Sequence, residues 1–235
     1  MHKKARILTY HRIGHPRDGK SYETLTVLPQ RFKAQLRAMH FLGCTFGGPD
    51  TMTAWLRDGD VLPFRYTVLT FDDGFEDLYE HAFPLLEKEG IPAIIYLVSD
   101  CTEDKWQRQR SPSPLRLLNW SQIREMADCG IIVGSHTRTH AELTLCTDEQ
   151  LHDEVANSKK VIEDKLGRAV THFCYPFGKL NDRVVDEVGE AGYTTACTTK
   201  KGSVLPDADL LRLPRLKVGK RMGLGKFLLR MTLRS

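Results

Sequence analysis

Several features are missing from this sequence. No apolar run is long enough to cross a bilayer: the longest, residues 91–98, is less than half of the roughly 20 residues a spanning helix needs. The opening Met1-His2-Lys3-Lys4-Ala5-Arg6 lacks the apolar core of about 7 to 15 residues that marks a signal peptide, so a cytoplasmic protein without signal peptide or transmembrane helix is expected. The six cysteines, at 44, 101, 129, 146, 174 and 197, form no Cys-x-x-Cys pair. They read as reduced thiols rather than as a disulfide framework or a cysteine zinc site. No internal repeat or low-complexity tract is present, which argues against a solenoid. With a formal charge of +4, basic residues scattered except near the C-terminus and no nucleic-acid motif, no nucleic-acid partner is expected.

What is present is ordinary globular composition, 41% hydrophobic and 27% charged, in 235 residues, enough for one sizeable core and a single domain. Strand and helix patterns alternate. Strands are expected over 6–10, 66–73, 91–98, 131–133, 171–175, 193–197 and 211–218. Helices are expected over 29–42, 52–56 (capped by Asp50 or Thr51), 75–88 (bent near Pro84), 121–127, 148–166 and 182–190. Residues 99–118 read as a long loop of the kind that is often functional. Alternation of this sort predicts an α/β fold with parallel strands and helical crossovers. The pattern alone leaves a barrel and an open doubly wound sheet both standing.

The run Tyr66-Thr67-Val68-Leu69-Thr70-Phe71-Asp72-Asp73-Gly74 is a buried strand that ends in two carboxylates. Neighbouring strand residues face opposite ways, so Asp72 and Asp73 share one pocket only if pairing stops there and the chain turns at Gly74. Asp-Asp-Gly is also common turn chemistry. A second stretch, Gly130-Ile131-Ile132-Val133-Gly134-Ser135-His136-Thr137-Arg138-Thr139-His140, repeats the plan of buried strand and polar edge. Its histidines are spaced four apart, which on a helical turn brings both imidazoles to one side. Two neutral nitrogens and a carboxylate make a metal set that leaves positions open for water and substrate.

Thr-Phe-Asp-Asp-Gly followed by Ser-His-Thr-Arg-Thr-His resembles the polysaccharide deacetylases, the NodB-homology or carbohydrate esterase 4 group. Asn119-Trp120-Ser121, Tyr175-Pro176-Phe177-Gly178 and Ala191-Gly192-Tyr193 follow in that family's order, and the resemblance covers roughly residues 5–218. It implies a distorted or incomplete (β/α)7 barrel of NodB type, with catalytic loops after the strands. It further implies that Asp73, His136 and His140 hold a divalent metal: zinc first, with cobalt, nickel or manganese as alternatives. Asp72 would be the general base, with Tyr175, Pro176 and Phe177 as the substrate and oxyanion segment through the Phe177 backbone N–H. The ion would activate water and polarise an N-acetyl carbonyl, giving acetate and a sugar amine.

Tyr10-His11-Arg12-Ile13 is similar to the poly-N-acetylglucosamine deacetylase branch, whose equivalent region borders the active site. His11 is accordingly a candidate proton donor or substrate contact, against a plain strand-end histidine. Three departures stand out. Cys174 occupies the position of an arginine that orients the base in many members, the Asp-x-x-Trp motif is missing after Ala196, and no late Leu-x-x-x-His supplies a general acid. Arg215 is the candidate replacement cation beside Asp72, against a structural salt bridge.

The barrel is expected over residues 1–218, followed by a basic amphipathic helix over 219–235. Leu224, Phe227, Leu228 and Met231 share one helical face, and Lys226, Arg230 and Arg234 line another. Such a helix either covers the barrel end or rests on an anionic membrane. Expected partners are an N-acetylated glycan or a lipid-linked sugar. The activities in contention are a metal-dependent glycan N-deacetylase, a deformylase or deacylase of a lipid-linked amino sugar, and a glycan-binding module with little turnover.

Overall fold

A computed structural model describes residues 4–15, 20–102 and 115–232. In chain order the elements are β1 (Arg6–Tyr10), β2 (Arg12–Ile13), β3 (Thr26–Val27), α1 (Pro29–Phe41), α2 (Pro49–Asp58), β4 (Thr67–Asp73), α3 (Asp77–His81), α4 (Phe83–Glu89) and β5 (Ala93–Leu97). There follow α5 (Trp120–Asp128), β6 (Ile132–Ser135), α6 (Asp148–His152), α7 (Ser158–Leu166), β7 (His172–Cys174), α8 (Asp182–Glu190), β8 (Thr195–Lys201), β9 (Leu213–Lys217) and α9 (Leu224–Thr232). Most of the expected 99–118 loop, residues 103–114, lies outside the described residues, as does Arg234.

Seven parallel strands close into a barrel in the order β1-β4-β5-β6-β7-β8-β9. The pairing of β9 with β1, Leu8 against Leu216 and Thr9 against Lys217, decides against the open sheet. Alternation sorts the strand residues into two cores. Ile7, Val68, Ile94 and Tyr96 fill the lumen with Cys174, Cys197 and Leu213, while Leu8, Leu69, Phe71 and Ile95 pack outward under the helices. Both faces are buried, which is why these strands read as continuous apolar runs rather than as alternating ones.

Several boundaries differ from expectation. Helix α2 starts at Pro49 behind Gly48 instead of at an Asp50 or Thr51 cap, because proline is well placed in a first turn where its missing N–H costs nothing. The single helix expected over 75–88 is two: it breaks at Ala82, and Pro84 occupies the first turn of α4. Asn119 caps α5 through reciprocal bonds with Gln122, a structural task. Between α6 and α7 the helix widens into a π turn over Asp153–Asn157. Phe227 and Met231 of α9 are buried, and they border a small gap with Leu8, Leu216 and Val218, so this helix lies against the barrel. Leu224, grouped with that apolar face in sequence, is 42% exposed. Among the described residues no helix is long and apolar enough to cross a membrane.

Candidate active site

Asp72 follows from the alternation of β4: with Val68 and Thr70 it points into the lumen, where it is buried. There it meets Arg215 of β9 in a bidentate pair, Nη1 to Oδ1 at 2.8 Å and Nη2 to Oδ2 at 2.7 Å. The remaining donors are satisfied as well. Nε donates to Thr198 O at 2.9 Å, Nη1 to Thr70 Oγ1 at 3.1 Å and Nη2 to Cys174 Sγ at 3.1 Å. All five guanidinium N–H groups thus have acceptors. Arg215 approaches Asp72 from β9, while Cys174 contributes a thiol beside the same carboxylate. Burial by itself would raise Asp72, but the Arg215 charge and hydrogen bonds outweigh it and hold the carboxyl well below the usual range.

Asp73 ought to face away from Asp72. Pairing does not stop before it, as expected, but continues to Asp73 against Leu97, and the turn is made by Asp73 itself, at φ 76°, together with Gly74 at φ 75°. A left-handed backbone at a non-glycine residue is costly, and here it swings the carboxylate round to the cavity. His136 and His140 also converge, though not on a helical turn: residues 136–142 form a loop with Thr137 at φ 71° and His140 at φ 62°. Asp73 Oδ1 lies 3.5 Å from Nε2 of both histidines. Donor atoms bonded at about 2.0 to 2.2 Å in tetrahedral array stand roughly 3.4 Å apart, so the three side chains fit a divalent cation. His136 Nδ1 donates to Cys174 O at 2.6 Å, which leaves Nε2 available to a cation. Burial and then repulsion from Asp72 raise Asp73 to about 7, a cost that a bound cation reverses. A second grouping, Asp72 with His136 and Cys174, is a poor metal set because Arg215 already occupies both Asp72 oxygens.

One residue absent from the sequence reasoning holds the histidine loop. Glu154, buried in the π turn, accepts from Arg138 N at 3.0 Å, Thr139 N at 2.8 Å and Thr139 Oγ1 at 2.5 Å. The wider turn brings this carboxylate to the strained backbone between the two histidines. Within a long charged helix, nothing local marked it out.

A cavity of about 590 Å³ opens over these groups, lined by His11, Asp73, His136, His140, Phe177 and Arg215 among others. His11 Nε2 is 4.0 Å from Asp72 Oδ2. Burial lowers its pKa to about 4 despite the neighbouring Asp72 charge, so the imidazole is neutral at pH 7. Of the expected oxyanion segment, only Phe177 reaches the cavity. Tyr175 is wholly buried with its hydroxyl donating to Leu211 O at 2.9 Å, and Pro176 is buried too, so their side chains shape the wall. Phe177 is 56% exposed at φ 59°, and its ring meets that of His140 edge-on at 4.6 Å between centroids. Gly178 follows because a Cβ there would come within 1.9 Å of Thr199 Oγ1.

The family model described as polysaccharide deacetylase matches residues 60–196, a span that includes both aspartates and both histidines. YxkH of Bacillus subtilis (strain 168), named as a polysaccharide deacetylase, is 30% identical over 219 residues, 93% of this chain and 73% of that protein. The poly-beta-1,6-N-acetyl-D-glucosamine N-deacetylase of Staphylococcus epidermidis is 25% identical over 208 residues, covering 85% and 70% of the two chains. Among solved structures, the Streptococcus pyogenes deacetylase PplD in complex with acetate superposes with a TM-score of 0.86 at 26% identity, over 98% of this chain and 99% of that one. Fold, motif order and these similarities agree, and the chain belongs to the polysaccharide deacetylase family.

Proposed function

We propose that this protein removes N-acetyl groups from an amino-sugar glycan, with Asp73, His136 and His140 as the metal set and Asp72 as general base. The observation that carries this reading is the convergence of that donor triad on one cavity, with the arginine-held Asp72 buried directly behind its wall, 4.0 Å from the lining His11. A bound divalent ion supplies Lewis-acid activation of water and of the acetyl carbonyl. Zinc is the first candidate, since nitrogen and oxygen donors in tetrahedral spacing suit it. Asp72, kept ionised by Arg215, accepts the proton of the attacking water. The Phe177 N–H is the candidate donor to the oxyanion. As the amide C–N bond breaks, the leaving nitrogen needs a proton. The proton taken by Asp72 reaches it through His11, 4.0 Å away, whose buried imidazolium is more acidic than a free one. The products are acetate and the sugar amine. Arg215 paired with Asp72, and His11 at 4.0 Å from the same carboxylate, support turnover over simple glycan binding.

The test is acetate release from β-1,6-linked N-acetylglucosamine oligomers by the zinc-loaded protein, before and after chelation and in Asp72→Asn. Release that depends on metal and on Asp72 is expected; an intact metal site with no release from any acetylated glycan would overturn the reading. His11→Asn should lower turnover and leave bound metal unchanged.

A second reading rests on Leu224 and Leu229, which are 42% and 55% exposed on the basic helix α9. Together with Lys226 they support peripheral contact with anionic lipid and a lipid-linked sugar substrate. Flotation with anionic liposomes should then be lost in the Leu224→Ser, Leu229→Ser double variant.

A further inference from the structure

Strand β9 carries two cations toward the cavity, Arg215 and Lys217, two residues apart and so on one face. They are used differently. Arg215 is spent on Asp72, whereas Lys217 is exposed and has no carboxylate of a described residue within ion-pair distance. Its backbone is fixed: Arg230 donates to Lys217 O at 2.9 Å, and the next residue, Val218, donates to Thr9 O at 2.8 Å. Lys217 stands in register with Thr9 across the seam that closes the barrel.

Thr9 also lines the cavity, is only 4% exposed, and its Oγ1 has no hydrogen-bond partner. Buried hydroxyls are nearly always paired, so an unpaired one on a residue that lines the cavity is a donor in want of an acceptor. His136, His140 and Phe177 come from the loops after β6 and β7, whereas Asp73 comes from β4, the strand beside β1. Thr9 and Lys217 line the same cavity but are not among the groups that could hold the cation, so they are available to another part of the substrate.

Charge indicates what that part is. Asp72 and Arg215 cancel, and Asp73 offsets half of a divalent ion, so Lys217 leaves the loaded cavity with a net positive charge. A lysine beside a dication is unfavourable unless something anionic comes with the substrate. One ammonium and one adjacent hydroxyl offer two donors, matching the two oxygens of a carboxylate. We propose that Thr9 and Lys217 form a subsite for a carboxylate borne by the glycan on or next to the N-acetylated sugar, making the enzyme selective for an acidic glycan. This deepens the deacetylase reading and rests on it.

The test uses the metal-loaded full chain and two acidic probes, each with its methyl ester as neutral twin. One probe alternates N-acetylglucosamine with glucuronate; the other alternates it with a sugar carrying a lactyl ether acid, and the pair distinguishes the two carboxylate sources. A charge-assisted contact predicts an acid-to-ester ratio in kcat/KM of about tenfold for at least one probe. Lys217→Met should reduce that ratio to near one, Lys217→Arg should restore most of it, and Thr9→Val should lower it by a smaller factor. High salt should shrink the preference. Equal rates for acid and ester in the unaltered protein, or a ratio unmoved in Lys217→Met, overturn the subsite while leaving deacetylation standing. Absence of release from acids and esters alike counts against the deacetylase reading, and calorimetric Kd values for acid and ester then decide the subsite directly.

Discussion

The proposed base and the proposed metal set meet at the peptide between Asp72 and Asp73, yet different means hold them. Asp72, Thr70, Cys174 and Arg215 are strand residues, aimed into the lumen by alternation and locked by a saturated guanidinium. Asp73, Thr137, His140 and Phe177 sit on turns with left-handed backbones, held by neighbours such as Glu154. Regular geometry thus positions the proposed base, and left-handed turns position two of the three proposed metal ligands, Asp73 and His140. Strain of this kind, about 1 to 3 kcal/mol per residue, persists only where surrounding bonds over-determine it.

The largest expected effect falls on chemistry at the base. Asp72→Asn should cut turnover by roughly 10² to 10⁴ while metal analysis shows the ion retained; loss of the ion would mean that the two sides are one unit. Arg215→Met comes next. It strands a buried carboxylate, and urea unfolding should register a loss of about 3 to 5 kcal/mol. Arg215→Lys should rescue little, because a point charge cannot replace the fork. On the other side, Glu154→Gln should leave global stability nearly unchanged but weaken metal affinity by about 10 to 100-fold, measured against a fluorescent chelator. If affinity holds, the π turn is not what supports the ligand loop.

The smallest effect lies away from both. His172, buried at the start of β7 with Nδ1 2.9 Å from Thr195 Oγ1, is lowered to about 4 by burial, against the pull of Asp50. Its folded pKa lies below its unfolded value, so the unfolded chain binds more protons. Stability is full above about pH 6.5 and is lost as pH falls toward 4. Between pH 7 and 5 the His172 share of the loss should be about 1 to 2 kcal/mol, and unfolding curves of His172→Gln should lack that share while keeping the one from His11.

Much of this was legible in the chain. The strand ending in Asp72 and Asp73, the exact span of helix 182–190 and the parallel architecture follow from apolar runs and turn residues, which are local signals. That the two histidines come together was legible, but not their conformation, because four-residue spacing suggests a helix and only packing against Glu154 and Leu97 shows the loop. Arg215 could be named as a candidate, while its partnership with Asp72 spans 143 positions of sequence and depends on barrel closure. Thr9, Lys217 and Glu154 had no motif to announce them.

By itself, then, the sequence determined the elements and the residue types able to hold a cation and move a proton, since alternation, turn chemistry and ligand identity are written in neighbouring residues. Tertiary structure alone decided which cation neutralises Asp72, which backbones turn left-handed and which donors are left open on the cavity wall. Those outcomes depend on strands distant in the chain meeting at one rim, where burial turns charges and unpaired hydroxyls into forces that no local pattern carries.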